Sequence, residues 1–350
     1  MKREDYNLPF MLRYENVAWY EEGKVRILDR RIYPTEVRFV TCTTYQEVAQ
    51  AITDMVTQSA GPYTAAGMGM ALAAYQVRDE SVVKQRIFLK EAAAMIGHAR
   101  PTTANRMLQI THHALQAAEL AFERGTSAEE AIFNETLKSL NRRYATMSRV
   151  GDYLLTKINA NDHVLTQCFG ETIVGMMLRG AIEQQKVFKL YTAETRPYLQ
   201  GARLTASCGV DMGFDTTVIT DNMVGYVMEY EGIDLFTSAA DTIALDGYIA
   251  NKIGTKQIAL LAQHYDVPYY VTGIPDEHKK SHHDIVIEMR DPQQVLTFQG
   301  IPHTLNGAKA LYPSFDITSP NLIAGIVTDK GIYQATEVAT YFDTAVQQFY

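Results

Sequence analysis

The sequence predicts an α/β protein in two parts: a small antiparallel sheet followed by helices over residues 1–150, and a mainly parallel sheet clothed in helices over residues 151–350. Three observations carry this reading. The hydrophobic period changes from alternating to helical near Thr44. Beyond Gly151, short β-branched runs alternate with helical stretches, the signature of a parallel sheet covered on both faces. Finally, 350 residues exceed the usual size of one hydrophobic core.

Three short extended segments open the chain: Val17–Tyr20, Lys24–Leu28 and Glu36–Val40, with Gly23 and Pro34 between them as turn residues. Thr44 and Glu47 then form a capping-box pattern, and Val48, Ile52, Met55 and Val56 follow at helical spacing. Helices are expected to run to about Ala145, broken at Gly125, where Thr126-Ser127-Ala128-Glu129-Glu130 can cap the next one. In the second part, strands are expected at Val164–Thr166, Val187–Tyr191, Thr217–Ile219, Leu235–Thr237 and Tyr269–Val271. Helices are expected at Thr172–Glu183 and Lys252–His264. Ligands of such sheets bind beyond the carboxyl ends of the strands.

Composition narrows the function. A net charge of -8 argues against non-specific binding to nucleic acid or to an anionic membrane, yet allows a small anionic substrate in a cleft. Cys42, Cys168 and Cys208 are too few and too scattered for a disulfide framework or a structural zinc site, which fits a reducing cytoplasm. The charged start Met1-Lys2-Arg3-Glu4-Asp5 lacks the apolar core of a signal peptide. No stretch approaches the roughly 18 apolar residues of a membrane span.

Several polar residues fall just after expected strands. Cys168 precedes a helix whose dipole would lower its pKa; the alternative is an inert buried cysteine. Asp241 follows Leu235–Ser238 through two alanines and is either functional or a turn former. Asn251-Lys252 is expected to open a helix, setting an ammonium beside free amides as a phosphate seat; a solvated lysine is the plain alternative. Arg100-Pro101-Thr102 offers an arginine at another helix start, or merely supports it. The run Asp276–Asp284 is histidine-rich, but two lysines interrupt it, so a mobile polar loop is expected rather than a metal site. Gly67-Met68-Gly69 lacks the strand a dinucleotide fingerprint demands and reads as a helix-packing site.

In order along the chain, these segments resemble the methylthioribose-1-phosphate isomerases. Glu194–Thr205 (ETRPYLQGARLT), Ala250–Thr255 (ANKIGT) and Arg100-Pro101-Thr102 are similar to that family's motifs, and Tyr312–Thr318 resembles its N-P-A-F-D-V-T. The resemblance implies a Rossmann-like second domain, a homodimer and a place in methionine salvage. It implies a catalytic cysteine, Cys168 in Thr166-Gln167-Cys168, and a catalytic aspartate, Asp241 in Ala239-Ala240-Asp241. Substrate phosphate contacts carry over to Arg100, Gln200, Asn251 and Lys252, with Gln58 and Ser59 in the phosphate loop.

The chain also departs from the family. Thr57-Gln58-Ser59-Ala60-Gly61-Pro62 stands where R-G-A-P is usual, so the loop's arginine is missing. Phe169-Gly170-Glu171 replaces N-T-G, and Thr242 replaces an arginine. Glu288–Pro292 resembles the ribose 1,5-bisphosphate enzymes.

The implied reaction converts a 5-substituted ribose 1-phosphate, methylthioribose 1-phosphate or 5-deoxyribose 1-phosphate, into the ribulose 1-phosphate. Asp241 would act as acid, its pKa raised among Ala239, Ala240 and Ile243, and Cys168 as base or as the shield of a hydride shift. No metal or organic cofactor is required. The rival readings are a non-catalytic, ligand-binding regulatory subunit of the translation-initiation guanine-nucleotide exchange factor, which shares the fold, and a ribose 1,5-bisphosphate isomerase.

Overall fold

The computed structural model describes residues 3–100 and 104–345. The chain divides into two compact units between Thr146 and Met147.

The first unit begins with a one-turn helix, α1 (Tyr14–Val17), and an antiparallel sheet of β1 (Ala18–Glu21), β2 (Lys24–Leu28) and β3 (Phe39–Cys42) in that order. The third strand starts later than its apolar run suggests. Asp29 folds the intervening chain back by binding the backbone and guanidinium of Arg31, so pairing resumes only at Leu28 with Phe39. Helix α2 (Tyr45–Thr53) carries the expected capping box, Thr44 with Glu47. Helix α3 (Gly61–Gln76) is buried on every side as far as Ala74, as an all-apolar helix must be. A Cβ on Gly67 would lie 2.6 Å from the Thr136 side chain and one on Gly69 2.8 Å from Val48, so this pair is indeed a packing site.

Helix α4 (Val82–Gly97) follows, then α5 (Ala104–Arg124) and α6 (Ala128–Leu155). Pro101 and Thr102, expected to start α5, lie outside the described residues. Gly125, in the left-handed region at φ 66°, ends α5, and Ser127 Oγ accepts the Glu130 N–H to start α6. Helix α6 outruns its expected end because neither Gly nor Pro interrupts it before Gly151, and there the missing side chain admits the Met176–Met177 backbone.

The second unit is built on seven strands. These are β4 (His163–Gln167), β5 (Lys189–Ala193), β6 (Thr216–Ile219), β7 (Leu235–Ala239), β10 (Tyr269–Thr272), β14 (Gly325–Thr328) and β15 (Gly331–Tyr333), in spatial order 15-14-10-7-4-5-6. All neighbours are parallel except β14 and β15. From β6 to β14 this is the doubly wound order, with its reversal between β4 and β7. Helices α7 (Glu171–Glu183), α8 (Ala206–Asp211), α9 (Val224–Tyr230) and α10 (Thr255–His264) connect the strands. The core joins Leu165, Phe236, Val271 and Ile326 of the sheet to Ile258, Ala259 and Ala262 of α10.

A smaller antiparallel sheet stands after β7: β8 (Thr242–Ile243), β9 (Ile249–Lys252) and β13 (Phe315–Thr318), with β9 central. Two further short strands, β11 (Thr297–Phe298) and β12 (Ile301–Pro302), pair as a separate hairpin. Asn251 and Lys252 therefore end a strand rather than open a helix. Gly254, at φ 102°, makes the corner, and α10 starts at Thr255. Among the described residues no helix is long and apolar enough to cross a membrane.

Candidate active site

The strand order reverses between β4 and β7, and Cys168 and Asp241 follow the carboxyl ends of these two strands, one on each side of the reversal. Cys168 follows β4 directly. Asp241 follows β7 by two residues, in the bend that leads into β8. Both sit where the fold favours ligand binding, for a reason of topology alone.

Cys168 is half-buried and held at φ 61°, a region that non-glycine residues rarely occupy. Two threonines fix it there. Its N–H donates to Thr195 Oγ1 at 2.9 Å, and its carbonyl accepts from Thr205 Oγ1. Thr195 is itself left-handed at φ 65°, and its N–H donates to Asp221 Oδ1 at 2.8 Å. Thr205 closes a π-turn, Gly201–Thr205, whose first residue packs against β5 so closely that a Cβ would lie 1.8 Å from the Ala193 carbonyl oxygen. Strain overdetermined by its surroundings, beside a π-turn, is common at functional sites.

The helix after Cys168 does not dominate its ionisation. Burial pushes the thiol up to about 11, against the opposing pull of Lys252, the Phe169 N–H and Arg290, and with added push from Asp241. This corrects the expected lowering: desolvation of a thiolate outweighs one helix terminus.

Lys252 and Asn251, each about 4% exposed, end β9 beside Cys168. Gln167 fixes this end of the strand, since its Nε2 lies 3.0 Å from Lys252 O, 3.3 Å from Ile253 O and 3.0 Å from Thr255 Oγ1. Asn251 Nδ2 also donates to Thr255 Oγ1 at 3.0 Å, and Lys252 Nζ lies 4.8 Å from the centre of the Phe315 ring. The free amides expected beyond Lys252 are occupied. Asp316 accepts from Gly254 N–H at 2.8 Å and Lys256 N–H at 3.0 Å, capping α10 with its own carboxylate. The positive charge here is thus the Lys252 ammonium, not the helix end.

Asp241 is exposed, and its N–H donates to Ala250 O at 2.9 Å, which sets it beside Asn251 on the small sheet. The apolar enclosure expected from Ala239, Ala240 and Ile243 is not formed by the chain itself: only Ile243 of the three is buried, and Asp241 stays open to solvent. Gln200, at the end of the β5 loop, is 6% exposed with an Oε1 that accepts no hydrogen bond from protein. The structure therefore brings Cys168, Asp241, Asn251 and Lys252 to the carboxyl ends of β4 and β7–β9, with Gln200 one strand over.

Gln58, Ser59 and Arg100 belong to the first unit. Gln58 is 2% exposed, Ser59 is left-handed at φ 58° and Arg100 is half-buried. A cation does stand at the Thr57–Gly61 loop. Arg30, fully buried, donates to Gln58 O at 2.9 Å, and Arg143 donates to Ala60 O at 3.2 Å. Sequence reading missed both, because their positions in the chain, Arg30 before α2 and Arg143 in α6, give no hint that they share a loop.

Glu171, in the first turn of α7, is 1% exposed and so does not point to solvent. The histidine-rich run, expected as a mobile loop, is hydrogen-bonded to the turn between β8 and β9. His282 N–H and Nδ1 each lie 2.8 Å from Asp246 Oδ2, and Leu245 N–H donates to Lys279 O. Among the described residues no group of three or more His, Cys, Asp or Glu is placed to hold a metal ion.

Residues 59–335 match the Initiation factor 2 subunit family. The chain is 33% identical over 330 residues to the methylthioribose-1-phosphate isomerase of Carboxydothermus hydrogenoformans, covering 91% of this chain and 95% of that protein. Its fold superposes on the 5-methylthioribose 1-phosphate isomerase of Pyrococcus horikoshii OT3 with a TM-score of 0.82 at 26% identity, over 97% and 96% of the two chains. It also resembles the translation initiation factor eIF-2B delta subunit from A. fulgidus, with a TM-score of 0.79 at 28% identity over 91% and 95%. The chain belongs to the Initiation factor 2 subunit family and, within it, to the methylthioribose-1-phosphate isomerase family. It is an enzyme, an isomerase of the aldose–ketose class.

Proposed function

We propose that this enzyme converts a 5-substituted ribose 1-phosphate, with methylthio or plain methyl character at C5, into the corresponding ribulose 1-phosphate. The observation that carries the proposal is the placement of Cys168 and Asp241 on the two sides of the switch point, with Lys252 beside the thiol. In this reading Gln200, Asn251 and Lys252 of the second unit contact the phosphate, as do Arg100, Gln58 and Ser59 of the first. A homodimer in the cytoplasm is part of the same proposal.

A sugar phosphorylated at its anomeric oxygen cannot open spontaneously. In the proposed reaction, Asp241 gives its proton to the ring oxygen as the bond from that oxygen to C1 breaks. Hydrogen then moves from C2 to C1, the C2 hydroxyl loses its proton to the Asp241 carboxylate, and the ketone forms with the acid restored. Asp241 is exposed, so the shielding an acid needs at neutral pH would come from the bound sugar. A thiol pushed up to about 11 is ionised only about one part in 10⁴ at pH 7. That favours direct transfer of hydride past a neutral Cys168 over abstraction of a proton by its thiolate.

Glu171, three residues after Cys168, is taken in this reading to face the C5 end of the sugar, where a second phosphate would meet repulsion and an uncharged group would not. Turnover of methylthioribose 1-phosphate, 5-deoxyribose 1-phosphate and ribose 1,5-bisphosphate should be compared. Preference for the bisphosphate would overturn the assignment at C5, and activity with none would overturn the reaction.

A further inference from the structure

In the second unit, an enclosed donor and an enclosed acceptor close no hydrogen bond of ordinary length with protein, although the Tyr312 hydroxyl stands near the donor. They are Nη1 of Arg290 and Oε2 of Glu288. The two side chains meet through their other atoms, Arg290 Nε donating to Glu288 Oε1 at 3.1 Å. The Arg290 side chain is 8% exposed and the Glu288 side chain 34% exposed, so the pair is open at the carboxylate. A polar group buried without a hydrogen bond costs about 1–3 kcal/mol, which a polar ligand reaching this pair would recover.

The segment that carries them is rigidly placed. Arg290 N–H donates to Tyr312 O at 2.9 Å, Ser314 N–H donates to Glu288 O at 2.9 Å, and Met289 bridges to Pro313. The Tyr198 ring centre lies 5.5 Å from the guanidinium and 6.4 Å from the Tyr312 ring. Ile253 N–H donates to Ser314 O at 3.0 Å and Phe315 pairs with Lys252, so the strand that holds Glu288 and Arg290 runs beside the end of β9, and Arg290 and Tyr312 lie within electrostatic reach of the Cys168 thiol.

We propose that Glu288 and Arg290 form a sugar-hydroxyl subsite, the carboxylate accepting from one ring hydroxyl and the guanidinium donating to its neighbour. A lone arginine would suit a phosphate. A donor fixed beside an acceptor suits a vicinal diol, whose every oxygen can both donate and accept, while the carboxylate repels a phosphate. The subsite rests on the proposed sugar-phosphate substrate. It would select for intact ring hydroxyls, since a site built to bond a hydroxyl discriminates strongly against an analogue that lacks it.

The test is calorimetry on the full chain with α-D-ribose 1-phosphate, its 2-deoxy analogue and inorganic phosphate. It compares the wild type with Glu288→Gln and Arg290→Lys, conservative changes whose folding is checked by thermal denaturation. Each variant is expected to bind ribose 1-phosphate about tenfold or more weakly, to lose discrimination against the 2-deoxy sugar, and to bind inorganic phosphate as the wild type does. Unchanged affinity for ribose 1-phosphate, or an equal loss for inorganic phosphate, would overturn the subsite. The expected binding pattern in an enzyme that isomerises none of the pentose 1-phosphates would keep the subsite and refute the reaction instead.

Discussion

Alkylation of Cys168 by iodoacetamide across a pH series measures the electrostatics on which the proposed chemistry depends. The thiol is pushed from an ordinary 9.0 to about 11, first by burial and then by Asp241, against Lys252, the Phe169 N–H and Arg290. Only the thiolate reacts, so at pH 7 a sulfur that titrates near 11 is about a hundredfold less reactive than an ordinary thiol. The rate at Cys168 should rise about tenfold for each step of one in pH and level off near 11. Peptide mapping separates it from Cys42 and Cys208, which are both buried. Replacing Lys252 by methionine removes the largest opposing charge and should move the profile higher still. A plateau below about pH 8 in the wild type would refute the reasoning, and would return Cys168 to the role of base. Running the isomerisation in deuterium oxide gives an independent reading: hydride transfer leaves C1 of the ketose without solvent deuterium.

Cys168→Ser and Asp241→Asn should each cut turnover by about 10²–10⁴-fold while leaving the thermal midpoint close to wild type; near-normal turnover removes that residue from the mechanism. Arg100→Ala should weaken binding of a pentose 1-phosphate by about ten- to a hundredfold, read by calorimetry. Gly201→Ala places a Cβ 1.8 Å from the Ala193 carbonyl oxygen and must displace either β5 or the π-turn that holds Cys168. It should cost about 1–3 kcal/mol in urea denaturation and lower turnover further than the lost stability explains.

Much of the fold was legible because buried parallel strands announce themselves. Val164–Thr166, Leu235–Thr237 and Tyr269–Val271 are apolar β-branched or aromatic runs, and all three lie within strands of the main sheet. The hairpin of β8 and β9 was less visible, since its strands are short. Its one local signal is Asp246-Gly247, a turn dipeptide with Gly247 at φ 83°. Overlooking it turned Asn251 and Lys252 into a helix start. The locations of Cys168 and Asp241 after their strands followed from topology, but their environments did not. Burial of the thiol, exposure of the carboxylate, and the capping of α10 by Asp316 some sixty residues downstream are all set by distant parts of the chain. Arg30 and Arg143 escaped for the same reason.

The order of the sheet also bears on how the enzyme comes into being. β4, β5 and β6 are consecutive in the chain and adjacent in space, and β7 and β10 are adjacent in the main sheet with only the β8–β9 hairpin between them in the chain, whereas the seam between β4 and β7 joins residues about seventy positions apart. Closing that long loop is the slow event in assembling such a sheet. Cys168 and Asp241 stand on opposite sides of the seam, so under the proposed mechanism neither half turns over substrate before they meet. During refolding, helical signal and tyrosine fluorescence should recover ahead of isomerase activity. Catalysis thus serves as a clock for the final docking of the two halves.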